Sequence, residues 1–420
     1  MANNNKHTGP NVPALRFPEF SGEWEMFRVS DFIEFFPTNS LSWDQLEYRG
    51  AGLLNLHYGM IHNGLPVQVD ASKNSLPSIK EDYYPKKYTL CKEGDIAFAD
   101  ASEDTNDVGK AIEFNNCAGK SIVCGLHTIH GRDRLGLTSI GFKGYLFSSK
   151  VYHDQIKSIA QGTKVFSIKA SNFDEVILGL PKKAEQKKIS SLLMAIDDRI
   201  LTQSKIIEEL KTLRGALNES LYCCCESYQE LSFNDVGVSY SGLSGKSGND
   251  FGSGYPFIPY TNIFMNNIID EGQLEYVQVR EDESQNSVFF GDLLMTLSSE
   301  TPEEVGIGAV YLGHESPLYL NSFAFGIHIT RTDLVYPPYL SWLVSTKSFR
   351  KFILPYAQGS TRYNLQKTDF MKAKYRFPTL GQQKAISVLL SGYSSKIENE
   401  ERVLNKYTAL KQGLIEQLFI

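Results

Sequence analysis

The sequence predicts an α+β chain: two mixed α/β globular modules alternating with two long helices that pair as an antiparallel coiled coil. Three observations lead there. The chain has 420 residues, too many for one ordinary hydrophobic core. A segment near its middle recurs near its end at a fixed offset. Each copy of that segment opens about forty residues of coiled-coil periodicity.

The repeat comes first because a missed period misreads the whole fold. Residues 180–193 read LPKKAEQKKISSLL and residues 377–390 read FPTLGQQKAISVLL, an offset of 377 − 180 = 197. Held without a gap, it gives 12 identities over residues 181–221, among them Pro181/Pro378, Gln186/Gln383, Leu193/Leu390 and Leu217/Leu414. Chance would give roughly two or three. Upstream, the same offset pairs Gly94-Asp95 with Gly291-Asp292, and Ser102-Glu103 with Ser299-Glu300. It also pairs Ala160-Gln161-Gly162 with Ala357-Gln358-Gly359. Between these islands the halves share little, as expected if one scaffold carries two different sets of loops.

Apolar residues at three- and four-residue steps mark the helices. In the first copy they are Ile189, Leu193, Ile196, Ile200, Ile207, Leu210, Leu217 and Leu221, broken by Gln203 and Arg214. In the second they are Ile386, Leu390, Tyr393, Ile397, Leu404, Tyr407, Leu414 and Leu418, broken at the matching Glu400 and Lys411. Pro181 and Pro378 stand at the helix entries. Such a stripe needs a partner. Pairing of the two helices is preferred over each packing on its own module, and pseudo-twofold symmetry between the halves requires opposite directions. The expected interface is Ile189, Leu193, Ile196 and Ile200 with Ile386, Leu390, Ile397 and Leu404.

The intervening parts carry short apolar runs such as DIAFA, SIVCGL, GAVYLG and FAFGIHI, separated by Gly, Asn and Ser turns. These predict strand-rich α/β cores. One short helix is expected near 142–158 and another near 338–354.

Composition is that of a globular protein, with 42% hydrophobic and 21% charged residues. The net charge of −6 argues against a chain basic throughout but leaves room for a local basic groove. No run is long and apolar enough to span a membrane, and MANNNKHTGP lacks a signal core, so a cytoplasmic chain is expected. The six cysteines match no zinc or disulfide spacing. Cys223, Cys224 and Cys225 read as reduced packing residues at a helix end. His127, His130 and Asp133 are close in sequence, but strand alternation there argues against a metal site. The expectation is no metal.

Catalytic motifs fail on inspection. In SGLSGKSG the position five residues before Gly245 is Tyr240, so the loop is no phosphate cradle. It reads as a flexible surface loop with Lys246 free for a phosphate. YPPY at 336–339 begins with Tyr where amine methylation needs Asn or Asp, and its prolines read as a helix start. No nucleophile–base–orienter set stands out. Binding is expected rather than catalysis, with no catalytic residues.

The opening PALRFPEFSGEWEMFRVSDF, the two Pro…Gln-Lys-x-Ile segments and the QGT and QGS turns at 161–163 and 358–360 resemble specificity subunits of type I restriction–modification systems, in order and over essentially the whole chain. The second copy departs in carrying Gly381-Gln382 where the first has Ala184-Glu185. The resemblance implies target recognition domains at 1–178 and 224–376 and spacer helices at 179–223 and 377–420. It implies a non-catalytic subunit in which each domain reads half of a bipartite site in double-stranded DNA. The helices would dock two methyltransferase subunits, and restriction/translocase subunits would join. No cofactor is expected in this chain. S-adenosylmethionine and ATP/Mg would sit on the partners. Candidate DNA contacts are Lys164 and Arg362 after the QG turns, Ser102 and Ser299 in the SE loops, and Lys246. The alternative is a coiled-coil interaction scaffold without DNA readout.

Overall fold

The structure, a computed structural model, describes residues 11–48 and 52–420. The segment MANNNKHTGP lies outside them. Tertiary contacts divide the chain into two units. One runs to Ser204 and takes in Arg402–Ile420, and the other is Lys205–Glu401.

In the first unit, strands Ile33–Phe36, Thr128–Asp133, Ile96–Ala99, Ala111–Asn116 and Gln68–Asp70 form a five-stranded sheet in that order. A four-stranded sheet is built from Ile122–Cys124, Leu54–Leu56, Ser78–Ile79 and Leu46–Glu47. The second unit repeats the larger sheet with four strands, Gly237–Ser241, Ala324–Ile329, Leu293–Thr296 and Gly308–Val310. Its second sheet is smaller: Glu275–Val277, Phe251–Ile258 and Tyr319–Leu320. The four apolar runs singled out in the sequence all supply strands.

Each expected short helix is in fact two, Lys143–Leu146 with Lys150–Ile159, and Pro337–Leu343 with Lys347–Ile353. The break has a local cause. Ser149 Oγ accepts from Tyr152 N and Thr346 Oγ1 from Phe349 N, so each restarts a helix as an N-cap. The YPPY prolines do open a helix, at its first two positions.

The long helices run Lys183–Cys223 and Leu380–Leu418. Their entries are fixed by one latch made twice. Gln186 is fully buried and donates to Leu137 O (3.0 Å) and Pro181 O (2.8 Å) while accepting from Ser139 N (2.7 Å). Gln383 donates to Leu334 O (3.0 Å) and Pro378 O (2.8 Å) and accepts from Tyr336 N (2.8 Å). Every partner is shifted by 197. The departure at Glu185 is equally local. Arg16 grips the Glu185 carboxylate at 2.8 and 2.7 Å, whereas Gln382 turns back to accept from Thr379 N and Oγ1.

The helix stripes do two jobs. In the first unit, Ile189 and Leu193 share a core with Phe142 and Tyr145 of the module, with Ile415 and Leu418 of the second helix, and with Phe419 just after it. Ile196 is buried and Ile200 half-buried. In the second unit, Ile386 and Leu390 join Trp342 and Phe349, with Leu217 and Leu221 of the first helix against them. Ile397 is buried, and Leu404, in the first unit, is half-buried. Packing on the module and packing on the other helix therefore coexist. Polar contacts repeat too. Lys411 Nζ lies 2.6 Å from Asp197 Oδ1 and over the Tyr145 ring. At the matching positions Arg214 donates to Ser394 Oγ at 2.9 Å and lies over Trp342. Lys211 meets Glu401 at 2.9 Å. Cys223 and Cys224 are exposed and Cys225 half-buried, so the first two are not the packing residues expected. They fall where the helix ends.

Candidate nucleic-acid interface

In each unit a miniature sheet brings the QG turn against the SE loop. Phe166 pairs with Ser102 in the first, and Tyr363 with Ser299 in the second. The turns close by the bridges Gln161↔Ser167 and Gln358↔Asn364. Gly162 and Gly359 have φ of 145° and 157°. A Cβ at either would collide with a carbonyl oxygen, of Val165 or Arg362. Only glycine makes this turn.

Four of the five expected contact residues are thereby brought together in pairs, Ser102 with the turn of Lys164 and Ser299 with the turn of Arg362. Lys164 and Arg362 are exposed and the serines half-buried. Ser102 Oγ accepts from Asp104 N, and Ser299 Oγ donates to Glu304 Oε2 at 2.7 Å. Lys246 is a correction. Its side chain is only 5% exposed and its ammonium is ion-paired with Glu283, so it is not free for a phosphate.

Around each miniature sheet lie rings that the fixed offset does not find. In the first unit Tyr58 packs edge-on against His62 and His127, and His62 Nε2 lies 3.0 Å from Ala101 O. His127 has φ of 53° and its half-exposed ring meets Asp100 Oδ1 at 3.1 Å. In the second unit Tyr260 stacks on Phe264 and donates to Ser298 O at 2.9 Å. Phe323 is 53% exposed with the Arg362 guanidinium over its ring. Insertions shift the offset to 202 at Tyr58/Tyr260, which hides the match from a gap-free comparison.

Each unit also buries the aspartate of the repeated Gly-Asp pair. Asp95 accepts from Lys92 N, His130 Nε2 and both Nε and Nη2 of Arg132, at 2.7–2.8 Å. Burial opposes its charge, but the Arg132 and His130 contacts hold its pKa below the ordinary range. Asp292 accepts from Phe289 N, Tyr240 Oη and His328 Nδ1. No guanidinium among the described residues meets it, and burial raises its pKa despite those bonds. Burial first, then the Asp292 charge, pushes the Tyr240 hydroxyl far up.

No protein-family model matches the chain. The type I restriction enzyme EcoKI specificity subunit of Escherichia coli (strain K12) is 24% identical over 304 residues, covering 66% of this chain and 64% of that protein. The chain is a relative of the type I restriction–modification specificity subunits. The match spans just under two thirds of that specificity subunit's own length. The crystal structure of a type I restriction–modification S subunit from M. genitalium is similar at a TM-score of 0.51 and 14% identity, over 97% of this chain and 99% of that one. A chain from a structure of type I system assembly and conformational transition reaches 0.59 at 12% identity, over 93% and 96%. The two-sheet modules and long helices described here are thus those of the specificity-subunit fold. Among the described residues, no helix is long and apolar enough to cross a membrane.

Proposed function

We propose that the chain is the non-catalytic DNA sequence-specificity subunit of a type I restriction–modification complex. Each module reads one half of a bipartite site in double-stranded DNA. The observation that carries this reading is the miniature sheet made twice, with one backbone and two different sets of exposed side chains. Lys164 and Arg362 suit phosphates, and Ser102 and Ser299 suit base edges. Glu103 and Glu300 of the same loops suit the exocyclic amine of cytosine. The EcoKI relative is named as a specificity subunit, which supports the reading.

The long helices pair as an antiparallel coiled coil. The opposed numbering of Lys211–Glu401 and Arg214–Ser394, and the matched Asp197–Lys411 pair, support this. A helix of 41 residues extends about 60 Å at 1.5 Å per residue, while one DNA turn is about 34 Å. The helices set the separation of the half-sites and dock two methyltransferase subunits, with restriction/translocase subunits joining them. S-adenosylmethionine and ATP/Mg belong to those partners. The complex works on DNA in the cytoplasm. Gel shift with random duplex libraries, with and without the methyltransferase subunit, tests this. Selection of a two-part sequence supports it, and assembly with the methyltransferase without any sequence preference rules it out in favour of a bare scaffold.

A further inference from the structure

Three buried donor groups converge in the first unit. Cys91 Sγ lies 3.6 Å from Cys124 Sγ. A ring nitrogen of His130 joins them, all three ligand atoms lying within 4.8 Å of one another. The residues are 6%, 3% and 1% exposed. Each is held by backbone pairing. Cys91 N donates to Ile122 O at 2.8 Å, Cys124 ends the strand beside Leu54–Leu56, and His130 lies mid-strand between Phe36 and Ala97. Two thiols about 3.6–3.8 Å apart are the spacing that tetrahedral coordination at Zn–S of ~2.3 Å demands.

The imidazole is also oriented. Its Nε2 is on the Asp95 carboxylate at 2.8 Å. A carboxylate partner of this kind holds the ring of a metal-binding histidine in one direction.

Packing alone does not ask for these residues, because the second unit fills the same places otherwise. Val288 N donates to Leu318 O at 2.7 Å, repeating the Cys91–Ile122 bond. Strand register then sets Leu320 opposite Ile258 where Cys124 faces Leu56, and Gly326 opposite Leu294 where His130 faces Ala97. The Tyr240 ring covers Gly326 and its hydroxyl takes the place of His130 on the aspartate. Val, Leu and Gly stand where the first unit has Cys, Cys and His.

We propose that Cys91, Cys124 and His130 form a site for a thiophilic divalent cation of the zinc class. Thiolate and imidazole donors in an apolar pocket select such an ion over magnesium or calcium. Binding releases the thiol protons and ties the two sheets of the first unit together. The proposal does not depend on the DNA-binding reading.

The full chain, purified under reducing conditions, is reconstituted with Zn²⁺ or Co²⁺ and its metal content measured. Expected are about one ion per chain and, for cobalt, thiolate charge-transfer absorption with a tetrahedral visible band. Cys91→Val/Cys124→Leu, which installs the second unit's residues, keeps the circular dichroism spectrum and loses the ion. Asp95→Asn weakens binding about tenfold. Cys223→Ser/Cys224→Ser leaves it unchanged. If the double variant fails to fold, the cobalt spectrum of the parent chain decides alone. A folded, reduced parent chain that takes up neither metal overturns the proposal. So does a double variant that keeps the ion, or a Cys91–Cys124 disulfide in the chain as isolated.

Discussion

The two modules differ most where a buried charge is concerned. In the first, Lys143 and Glu113 form an ion pair at 3.2 Å with both side chains at most 2% exposed, and Glu113 also accepts from Gly141 N and Gly144 N. In the second, the positions 197 residues on are Val310 and Leu340, both fully buried. The backbone around them is the same. One scaffold therefore tolerates either a satisfied ion pair or two aliphatic side chains at one place, but both partners must change together. The Gln186 and Gln383 latches behave oppositely. Their bonds run mainly to backbone groups, with Ser139 Oγ adding a side-chain contact to Gln186 at 3.2 Å, and both copies keep them.

This contrast can be broken by substitution. Lys143→Leu alone strands the Glu113 carboxylate and is expected to cost about 3–5 kcal/mol. Lys143→Leu/Glu113→Val copies the second module and should recover most of it. Denaturant unfolding of both variants checks this, and a double variant no better than the single would show that the pair is needed for more than charge balance.

Gln186→Ala and Gln383→Ala should each cost about 2–4 kcal/mol, because each leaves a buried amide and two carbonyls without partners. The two losses should agree within about 1 kcal/mol. Hydrogen exchange followed on peptides from each unit measures them separately, and a large inequality would end the equivalence of the latches.

Gly162→Ala and Gly359→Ala come next, at about 1–3 kcal/mol, from forcing a Cβ into a backbone conformation and a space that exclude it. Protection should be lost locally, at residues 161–167 or 358–364.

The smallest effect is in pH. Asp292 has its pKa raised in the folded state by burial. Its stabilisation is fully present below the ordinary carboxylate pKa of about 3.9, and is lost as pH rises through the raised folded value. The Asp292 contribution to exchange protection should therefore increase on acidification from neutral pH toward pH ~4, opposite to the contributions of Glu219 and Glu271, whose pKa values are lowered. Asp292→Asn should flatten that slope, and an unaltered slope would mean that other groups set it.

Much of this was legible in the sequence. The 197-residue offset locates both latches, both QG turns and both Gly-Asp pairs, because each is fixed by backbone hydrogen bonds that tolerate no slip. Ile189, Leu193, Ile386 and Leu390 stood out by period, although period could not tell module packing from helix packing, and they do both. The helix breaks at Ser149 and Thr346 were missed because the apolar pattern continues through them while the cap overrides it. Lys246 was misjudged because its partner Glu283 is 37 residues away. The rings at Tyr58, His127, Tyr260 and Phe323 were invisible since insertions change the offset there, and only the folded backbone restores the match.

The central claim is that the two faces are independent readers on one scaffold. Selection of bound duplexes from a random library tests it most directly, using the full chain together with the methyltransferase subunit proposed for it. Three forms are compared: the parent, Ser102→Ala/Lys164→Ala, and Ser299→Ala/Arg362→Ala. The account predicts a two-part sequence for the parent, with preference relaxed in one half by the first variant and in the other half by the second. The gap between the halves should not change. Relaxation of both halves by either variant, or of neither by both, would contradict it.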